Sequence, residues 1–464
     1  MNDAKNKKEE KKSLDRPINW RSLTAFALPT IVSMVFMNIY GSVDGAFVSN
    51  LISTDALSAV NIVFPLLILS MAVGTMFSTG GNAIVAKMLG EKREDEARRF
   101  FSLILIAAFA LAAVLSVLGY VFLEPLLRFF GADDKLYPYC EEYATVILGM
   151  MPVAIFSMVF QGFFITSGKA HLALFFSIAG GMINVALDYI LIAVAELGMT
   201  GAAVATGAGY SFSALMGLLY FTFRRKNILR IVRPKFDIKI ILHSCANGSS
   251  EMVTSLSAAV VTLMFNRIMM DLAGSDGVSS ITIVLYMMGL LSAAYLGYSI
   301  GIAPIVSYNY GKGDRDKLRK IFRVSLAVIG VFSALTFGLS MALASPLVSI
   351  FSAGNATVHE MAVTGFRLFA AAFLFMGFNV FSSALFTALS NGIVSAVLSI
   401  FRTLIFVVAA MLTLPMIFGV NGVFVANPIA EFLGIIMSVI FFRIYGKRYG
   451  FLGKPADCPI KELQ

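Results

Sequence analysis

Long apolar runs recur along the whole chain and constrain its fold more than any other feature. Each run is long enough to cross a hydrocarbon core of about 30 Å, for which about 20 helical residues suffice. There are twelve, at residues 22–48, 55–86, 100–121, 141–166, 172–195, 201–223, 242–266, 278–308, 321–343, 359–388, 393–414 and 422–442. Only 14% of the residues are charged, too few to cover a soluble surface. We therefore predict an all-α integral membrane protein with twelve transmembrane helices.

Lysine and arginine lie almost entirely on one side of these spans. The two tails and the even-numbered loops hold 31 of the 36, counting Arg323 at the very start of the ninth span, and the odd-numbered loops hold three. Arg367 and Arg402 lie within spans. Such an excess of lysine and arginine on one side marks the cytoplasmic side of a membrane protein. We predict a multi-pass protein of a bacterial-type inner membrane with both termini in the cytoplasm. The net charge of +9 then orients the chain in the lipid bilayer, and no nucleic-acid partner is expected.

The two halves of the chain resemble each other at an offset of 221 residues. Residues 55–90 and 276–311 agree at eleven of 36 positions, and LGMTGAAVA at 197–205 aligns with FGVNGVFVA at 418–426. Because six spans is an even number, the two six-helix repeats are parallel, with a central cleft between them. Such repeats are typical of secondary transporters. The predicted organisation is a tail at 1–21, an N-lobe at 22–223, a basic cytoplasmic linker at 224–240, a C-lobe at 241–446 and a tail at 447–464.

Few acidic residues lie inside the spans, and charge at that depth costs at least about 2.5–3.5 kcal/mol, which favours a functional role. Asp44, Asp188 and Thr206 lie roughly 6–11 Å below the external boundary, at 1.5 Å per residue. Asn184 lies one helical turn deeper than Asp188, on the same helix face. These four residues can form an oxygen-rich cage for Na⁺ or a proton. Alternatively, they reach the outer interface or bond neighbouring helices.

Several of these segments resemble one transporter family. LPTIVSM with Pro29, NIYGSVDGAFVSNL with Asp44, GGMINVALDYIL, and GMTGAAVAT ending at Thr206 are similar to the multidrug and toxic compound extrusion (MATE) family, in its DinF-like branch. The resemblance covers all twelve spans. It implies that Asp44, Asn184, Asp188 and Thr206 form a cation site in the N-lobe. It also implies that the first helix bends at Pro29, where the missing backbone donor permits a kink.

The remaining intramembrane charges lie in the second half. Another branch of the family places an acid in span 10, whereas FRLFAAAFLFMGFNVFSSALFTALS has none. Glu251, about two turns from the cytoplasmic end of span 7, either lines a substrate mouth that attracts cations or is an interface residue. Arg402 and Glu431 form the deep opposite pair of this half. A structural ion pair is favoured over substrate binding, because an arginine at this depth needs a partner and would otherwise be an uncompensated buried charge.

The predicted function is secondary active export of hydrophobic or cationic drugs in exchange for H⁺, Na⁺ or both. The alternative is a flippase or exporter of a lipid-linked or other amphipathic metabolite in the same superfamily. An enzyme is not expected, because no catalytic motif is found. We also expect a monomer without a cofactor and without an ATPase subunit, since no phosphate-binding loop is present.

Overall fold

The computed structural model describes residues 13–52, 54–224, 227–352 and 355–450, with the backbone alone described for residues 41–51, 54 and 57. The first half forms helices joined by short connections. They are α1 Trp20–Leu51, α2 Thr54–Gly90, α3 Glu94–Val121, α4 Leu123–Phe129, α5 Tyr137–Thr166, α6 Ala170–Asp188 with a π-helix at Tyr189–Val194, and α7 Gly198–Phe223. We refer to α1–α7 as the N-lobe.

The second half repeats this arrangement with one difference, because its first two spans form a single long element. Its helices are α8 Ile238–Lys312, α9 Arg315–Ala342, α10 Ala344–Ser349, α11 Ala356–Ala370, α12 Phe373–Ala388, α13 Gly392–Ile400 with a π-helix at Phe401–Ile405, α14 Phe406–Phe418 and α15 Val420–Tyr449. We refer to α8–α15 as the C-lobe. The predicted tails, apart from residues 13–21 and 447–450, and residues 225–226 of the predicted linker lie outside the described residues.

The 75-residue helix α8 folds back on itself at Gly274. This residue has φ 62° and ψ −150°, a backbone conformation that only glycine adopts readily. Two points on α2 show the reversal: Gly80 lies against Ser244, and Gly90 lies against Tyr308. Those points are ten residues, about 15 Å, apart, whereas the two α8 residues would be about 96 Å apart in a straight helix. The element therefore supplies two membrane spans.

Within the described residues, ten helices are long and apolar enough to cross a membrane. The bent pair α11 and α12, at 54° to each other, forms an eleventh span. Helix α8 is counted once among the ten but supplies two spans, which brings the total for the described residues to twelve. Large apolar side chains cover the outer surface, since Phe109, Val117, Leu263, Val331 and Leu412 are 51–69% exposed. The prediction of an all-helical membrane protein is confirmed.

The two lobes pack directly on each other through glycine. A Cβ on Gly80 would overlap the Ser244 carbonyl oxygen and would lie 2.8 Å from the Gly248 nitrogen. Further along α2, a Cβ on Gly90 would overlap the Tyr308 carbonyl oxygen. These contacts lie toward the end of the bundle that carries the α2–α3 and α8–α9 connections. We call this the basic end, because Lys92 and Lys312 are among the charges there.

A short segment before α1 also reaches the C-lobe at the basic end. The Asp15 carboxylate accepts a hydrogen bond from Lys312 Nζ at 2.8 Å, and its other oxygen pairs with Lys317. Arg16 donates to the Ser22 carbonyl oxygen at 2.8 Å, which fixes the start of α1. We call residues 13–19 the N-terminal strap, since they tie the N-lobe to the end of α8 and the start of α9.

Candidate functional site

A cavity inside the N-lobe lies among α1, α5, α6 and α7. Its volume is about 590 Å³, including the space open at its mouth. Helix α1 contributes Met37 and Tyr40. The polar side chains contributed by the other three helices are those of Ser157, Gln161, Ser177, Asn184, Thr206, Tyr210 and Ser213. A cavity lined in this way offers many oxygen atoms at membrane depth.

Asn184 lies in the wall of this cavity with both of its side-chain polar atoms lacking hydrogen-bond partners among the described residues. Its side chain is 3% exposed. Helices α6 and α7 pack so closely here that a Cβ on Gly180 would lie 2.7 Å from the Gly209 carbonyl oxygen. A buried amide without partners costs about 1–3 kcal/mol. The arrangement therefore favours a ligand at Asn184.

Asp188 and Thr206 flank Asn184 on two helices. Asp188 is fully buried and is the last residue of α6 before the π-helix at Tyr189–Val194. Single π-helical turns are frequent at functional sites. Thr206 lines the same cavity as Asn184, and its hydroxyl donates to the Ala202 carbonyl oxygen at 3.1 Å. Because the hydroxyl proton is used within α7, the Thr206 oxygen is left as an acceptor toward the cavity.

The other two N-lobe residues predicted from the sequence lie in α1. The backbone of Asp44 is helical, but its side chain lies outside the described residues, and its place in the cation cage stays a prediction. Helix α1 continues through Pro29 as one helix, and the bend at that position also stays a prediction. The structure therefore brings Asn184 and Thr206 to one cavity wall, with Asp188 buried one helical turn away.

A charged cluster lies inside the C-lobe. Arg402 Nη1 lies 3.1 Å from Glu431 Oε1, with side chains 11% and 5% exposed. The amide of Asn379 donates to the other Glu431 oxygen at 2.7 Å, and Ser438 donates to the Asn379 oxygen at 3.0 Å. Both carboxylate oxygens of Glu431 thus have a donor, as a buried charge requires. Arg402 lies in the π-helix at Phe401–Ile405, between α13 and α14.

Glu251 lies at a second cavity, between the lobes. This cavity has a volume of about 460 Å³ and receives residues from α2, α5, α8 and α12. Its polar residues are Ser78, Thr79, Asn82, Glu251 and Thr387. We call it the interlobe chamber.

Sequence reasoning missed two amides that the structure makes prominent. Asn82 lies in the interlobe chamber and Asn379 holds Glu431. Both interrupt apolar runs, STGGNAIVAK and FMGFNVFSS. A search of the spans for carboxamides as well as carboxylates would have found them.

Comparison with known proteins identifies the family. The MatE family model matches residues 29–190 and 251–412, two segments that begin 222 positions apart, one in each lobe. The multidrug export protein MepA of Staphylococcus saprophyticus is 20% identical over 433 residues, covering 92% of this chain and 94% of the relative. MepA of Staphylococcus aureus strain NCTC 8325 is also 20% identical, with the same coverage.

Solved structures agree on the fold. A MATE transporter crystallised in complex with MaL6 has a TM-score of 0.90, with 21% identity and coverage of 94% of this chain and 98% of that one. An outward-facing multidrug resistance MATE family transporter has a TM-score of 0.89 at the same identity and coverage. The family match covers well over half of the chain and occurs once in each lobe. This two-lobed chain belongs to the MATE family.

Proposed function

We propose that this protein is a secondary active antiporter that exports hydrophobic and cationic organic compounds in exchange for H⁺ or Na⁺. The observation that carries the proposal is the buried amide of Asn184 at the N-lobe cavity, which has no hydrogen-bond partner among the described residues. It lies one helical turn from the fully buried Asp188. The matching relatives are named as multidrug export proteins. The interlobe chamber between two repeats gives such an exporter a place for substrate.

In the proposed mechanism, the N-lobe site changes its charge when a cation enters. Asp188 and Asp44 supply negative charge, while Asn184 and Thr206 supply neutral oxygen ligands, the ligand type that hard cations prefer. A proton or Na⁺ reduces the negative charge buried among α1, α6 and α7. We propose that α1 then moves near Pro29 and that substrate is released outward. The cation leaves toward the cytoplasm while the empty carrier resets.

The orientation that this mechanism needs follows from the distribution of lysine and arginine. We propose that the basic end faces the cytoplasm, that both termini lie there, and that the protein acts as a monomer in the inner membrane. Single cysteines at the exposed residues Asp134 and Lys320, in a variant without native cysteines, test the orientation. An impermeant thiol reagent added to intact cells should label position 134 and not position 320. The reverse pattern contradicts the orientation.

Export itself is tested in everted membrane vesicles. Vesicles that contain the protein should take up a fluorescent organic cation when an ion gradient is imposed, and control vesicles without it should not. Uptake that needs ATP, or movement of a lipid-linked sugar without drug uptake, contradicts the proposal. The second result would favour the flippase alternative.

A further inference from the structure

The charged cluster of the C-lobe lies at the place where the repeat puts the N-lobe cavity. We propose that the Arg402 guanidinium is a built-in cation, tethered in the C-lobe at the position equivalent to that cavity. Glu431 and Asn379 then form a cation site whose occupant the chain itself supplies, and removing this occupant opens the site to a free guanidinium ion. The comparison with the N-lobe ion site rests on the proposed function, whereas guanidinium binding can be measured without transport.

The turns between the helices fix which residues of the two lobes are equivalent. The connection between α5 and α6 contains Gly168 with a φ of 72°, and the connection between α12 and α13 contains Ser390 with a φ of 59°, 222 positions later. At the start of α7 and of α15 lie Gly198, with a φ of 54°, and Gly419, with a φ of 56°, 221 positions apart. Helices α5 and α6 therefore align with α12 and α13 at an offset of 222, and α7 aligns with α15 at 221.

Side-chain contacts inside the lobes support the same alignment. Between α5 and α6, Gln161 Nε2 donates to Ser177 Oγ at 3.0 Å. At the equivalent positions between α12 and α13, the Ser383 and Ser399 hydroxyls lie 2.8 Å apart. The offset of 222 thus relates hydrogen-bonded side chains as well as turns.

Four C-lobe positions at the charged cluster are equivalent to residues that line the N-lobe cavity. The equivalent pairs are Arg402 and Gly180, Asn379 and Ser157, Glu431 and Tyr210, and Gly434 and Ser213. All four N-lobe members line the cavity of about 590 Å³, the same cavity that Asn184 lines. The repeat therefore leaves space at this place in the N-lobe and puts an arginine with its carboxylate there in the C-lobe.

Glycine lies on opposite helices at this crossing in the two lobes. In the N-lobe it lies on α6, where a Cβ on Gly180 would be 2.9 Å from Ser213 Oγ. In the C-lobe it lies on α15, where a Cβ on Gly434 would be 3.3 Å from Arg402 Cγ. Gly434 therefore leaves the room in which the arginine stem reaches Glu431.

The surroundings of the guanidinium are those of a cation site. Arg402 Nη1 lies 3.1 Å from Glu431 Oε1, and the Asn379 amide donates to the other carboxylate oxygen at 2.7 Å. Because the Glu431 side chain is 5% exposed, water gives it little compensation and a positive charge is needed. Hydrogen bonds between a guanidinium and a carboxylate are about twice as strong as neutral ones. A free guanidinium ion offers the same planar donors as Arg402.

The tether makes the C-lobe differ from the N-lobe in transport. Arginine does not lose its proton in proteins, and its side chain cannot diffuse away, so Glu431 stays compensated throughout the cycle. A cation at the N-lobe site can enter and leave. In the proposed transport cycle the N-lobe therefore changes its charge, while the C-lobe keeps the charge of a loaded site.

Chemical rescue tests the built-in cation. Arg402→Ala removes the guanidinium and leaves Glu431 uncompensated, so the unfolding temperature in detergent should fall. Guanidinium chloride, well below its denaturing range, should restore most of the loss. Urea has a similar planar shape without the charge and should restore none of it at the same concentration. Tetramethylammonium chloride keeps the ionic strength equal in all samples.

Two controls show whether guanidinium binds at this site. In the wild type it should not raise the unfolding temperature, because Arg402 already fills the site. The double variant Arg402→Ala, Glu431→Gln keeps the space but lacks the carboxylate, so guanidinium should not stabilise it either. If Arg402→Ala is not recovered folded, the same compounds are compared during solubilisation. The folded fraction in size-exclusion chromatography should then rise with guanidinium and not with urea.

The outcomes separate this inference from the proposed function. Rescue by guanidinium alone that requires Glu431 supports the built-in cation. Equal effects of guanidinium and urea, rescue that persists in the double variant, or no rescue in either readout would overturn it. Export enters none of these measurements, so a wild type that fails to export a drug in everted vesicles would contradict the proposed function and leave the guanidinium site standing.

Discussion

Gly90 and Gly311 each lie against the backbone of the other's helix. A Cβ on Gly90 would overlap the Tyr308 carbonyl oxygen, and a Cβ on Gly311 would overlap the Lys87 carbonyl oxygen. Both pairs, 90 with 311 and 87 with 308, differ by the repeat offset of 221. A further contact follows the same relation, since a Cβ on Gly301 would lie 2.9 Å from the Ala27 Cα while its counterpart Gly80 lies against Gly248. The repeat therefore places glycine at equivalent crossings of the lobes.

These crossings predict that a larger side chain keeps the basic end from closing. Gly80→Val adds a branched side chain where even a Cβ would overlap the Ser244 carbonyl oxygen. The lobes then cannot approach as closely, because backbone atoms cannot move aside as a flexible side chain can. Spin labels on the exposed residues Arg99 and Lys320, at the basic ends of α3 and α9, should show a longer distance in Gly80→Val.

Gly338 provides the matched control for this substitution. It lies in α9, and a Cβ there would have no heavy atom within 4 Å. Gly338→Val should therefore leave the distance between the spin labels unchanged. An unchanged distance in Gly80→Val as well would mean that the glycine crossings do not determine closure.

The N-terminal strap predicts a second, independent effect at the basic end. Burial raises the pKa of Asp15, but the hydrogen bonds from Lys312 and Lys317 outweigh it and hold the pKa below its ordinary value of 3.8. Because the folded pKa is below the unfolded value, the stabilisation is present above pH 3.8 and is lost as the pH falls through the folded pKa. At neutral pH, Asp15→Asn should therefore speed hydrogen exchange in residues 13–19.

Asp134→Asn is the control for the strap. Asp134 pairs with Arg128 at 2.7 Å, but its side chain is 96% exposed and it lies far from the basic end. Its substitution should not alter exchange in the strap. If Asp15→Asn exchanges at the wild-type rate, the two lysine pairs do not hold the segment in place.

The buried pair in the C-lobe predicts a loss of stability with partial rescue. Glu431→Gln leaves Arg402 without its countercharge, and removing one member of a buried pair typically costs about 3–5 kcal/mol. Adding Arg402→Gln should recover part of the loss, because no isolated charge remains. Thermal unfolding in detergent measures both variants. Wild-type stability in Glu431→Gln would show that the contact is not needed.

An exposed pair calibrates this result. Arg267 and Asp271 lie 3.4 Å apart with side chains 79% and 60% exposed. Exposed pairs contribute about 0–1 kcal/mol. Asp271→Asn should accordingly change the unfolding temperature far less than Glu431→Gln does.

The sequence predicts the membrane class because apolar length and charge asymmetry are physical requirements of crossing a bilayer. It does not reveal the long helix α8, because the sequence separates two spans there and only the φ of Gly274 shows how they join. It also does not reveal the interlobe chamber. Asn82 and Glu251 are 169 positions apart, and only packing at Gly80 and Gly248 brings their helices together.

The candidate cation site is predictable only in part. The spacing of Asn184 and Asp188 places them on one helix face, and the sequence predicts Thr206 at similar depth. The structure adds that Asn184 and Thr206 share one cavity wall. It adds that a π-helix begins directly after Asp188, a local change of helical geometry that residue spacing alone does not show.

Cation coupling through the N-lobe site predicts a ranking of substitutions there. Asp188→Asn or Asp44→Asn should abolish gradient-driven export in a protein that still folds, because an amide keeps the volume but can neither hold a proton nor balance a cation. Asn184→Ala should weaken coupling less, and Thr206→Ala least, since each removes one neutral oxygen ligand. Transport rates in proteoliposomes at one imposed gradient give the ranking. Equal effects of all four substitutions would contradict it.

The most direct measurement is substrate flux in proteoliposomes after a sudden pH or Na⁺ jump. The wild type should export a fluorescent organic cation when a pH gradient, an Na⁺ gradient or both are imposed. An ion whose gradient drives the flux is a coupling ion. The Asp44→Asn, Asp188→Asn double variant should show no flux above that of empty liposomes while its thermal unfolding stays cooperative. Gradient-driven flux at the wild-type rate in that folded double variant would contradict cation coupling through this site.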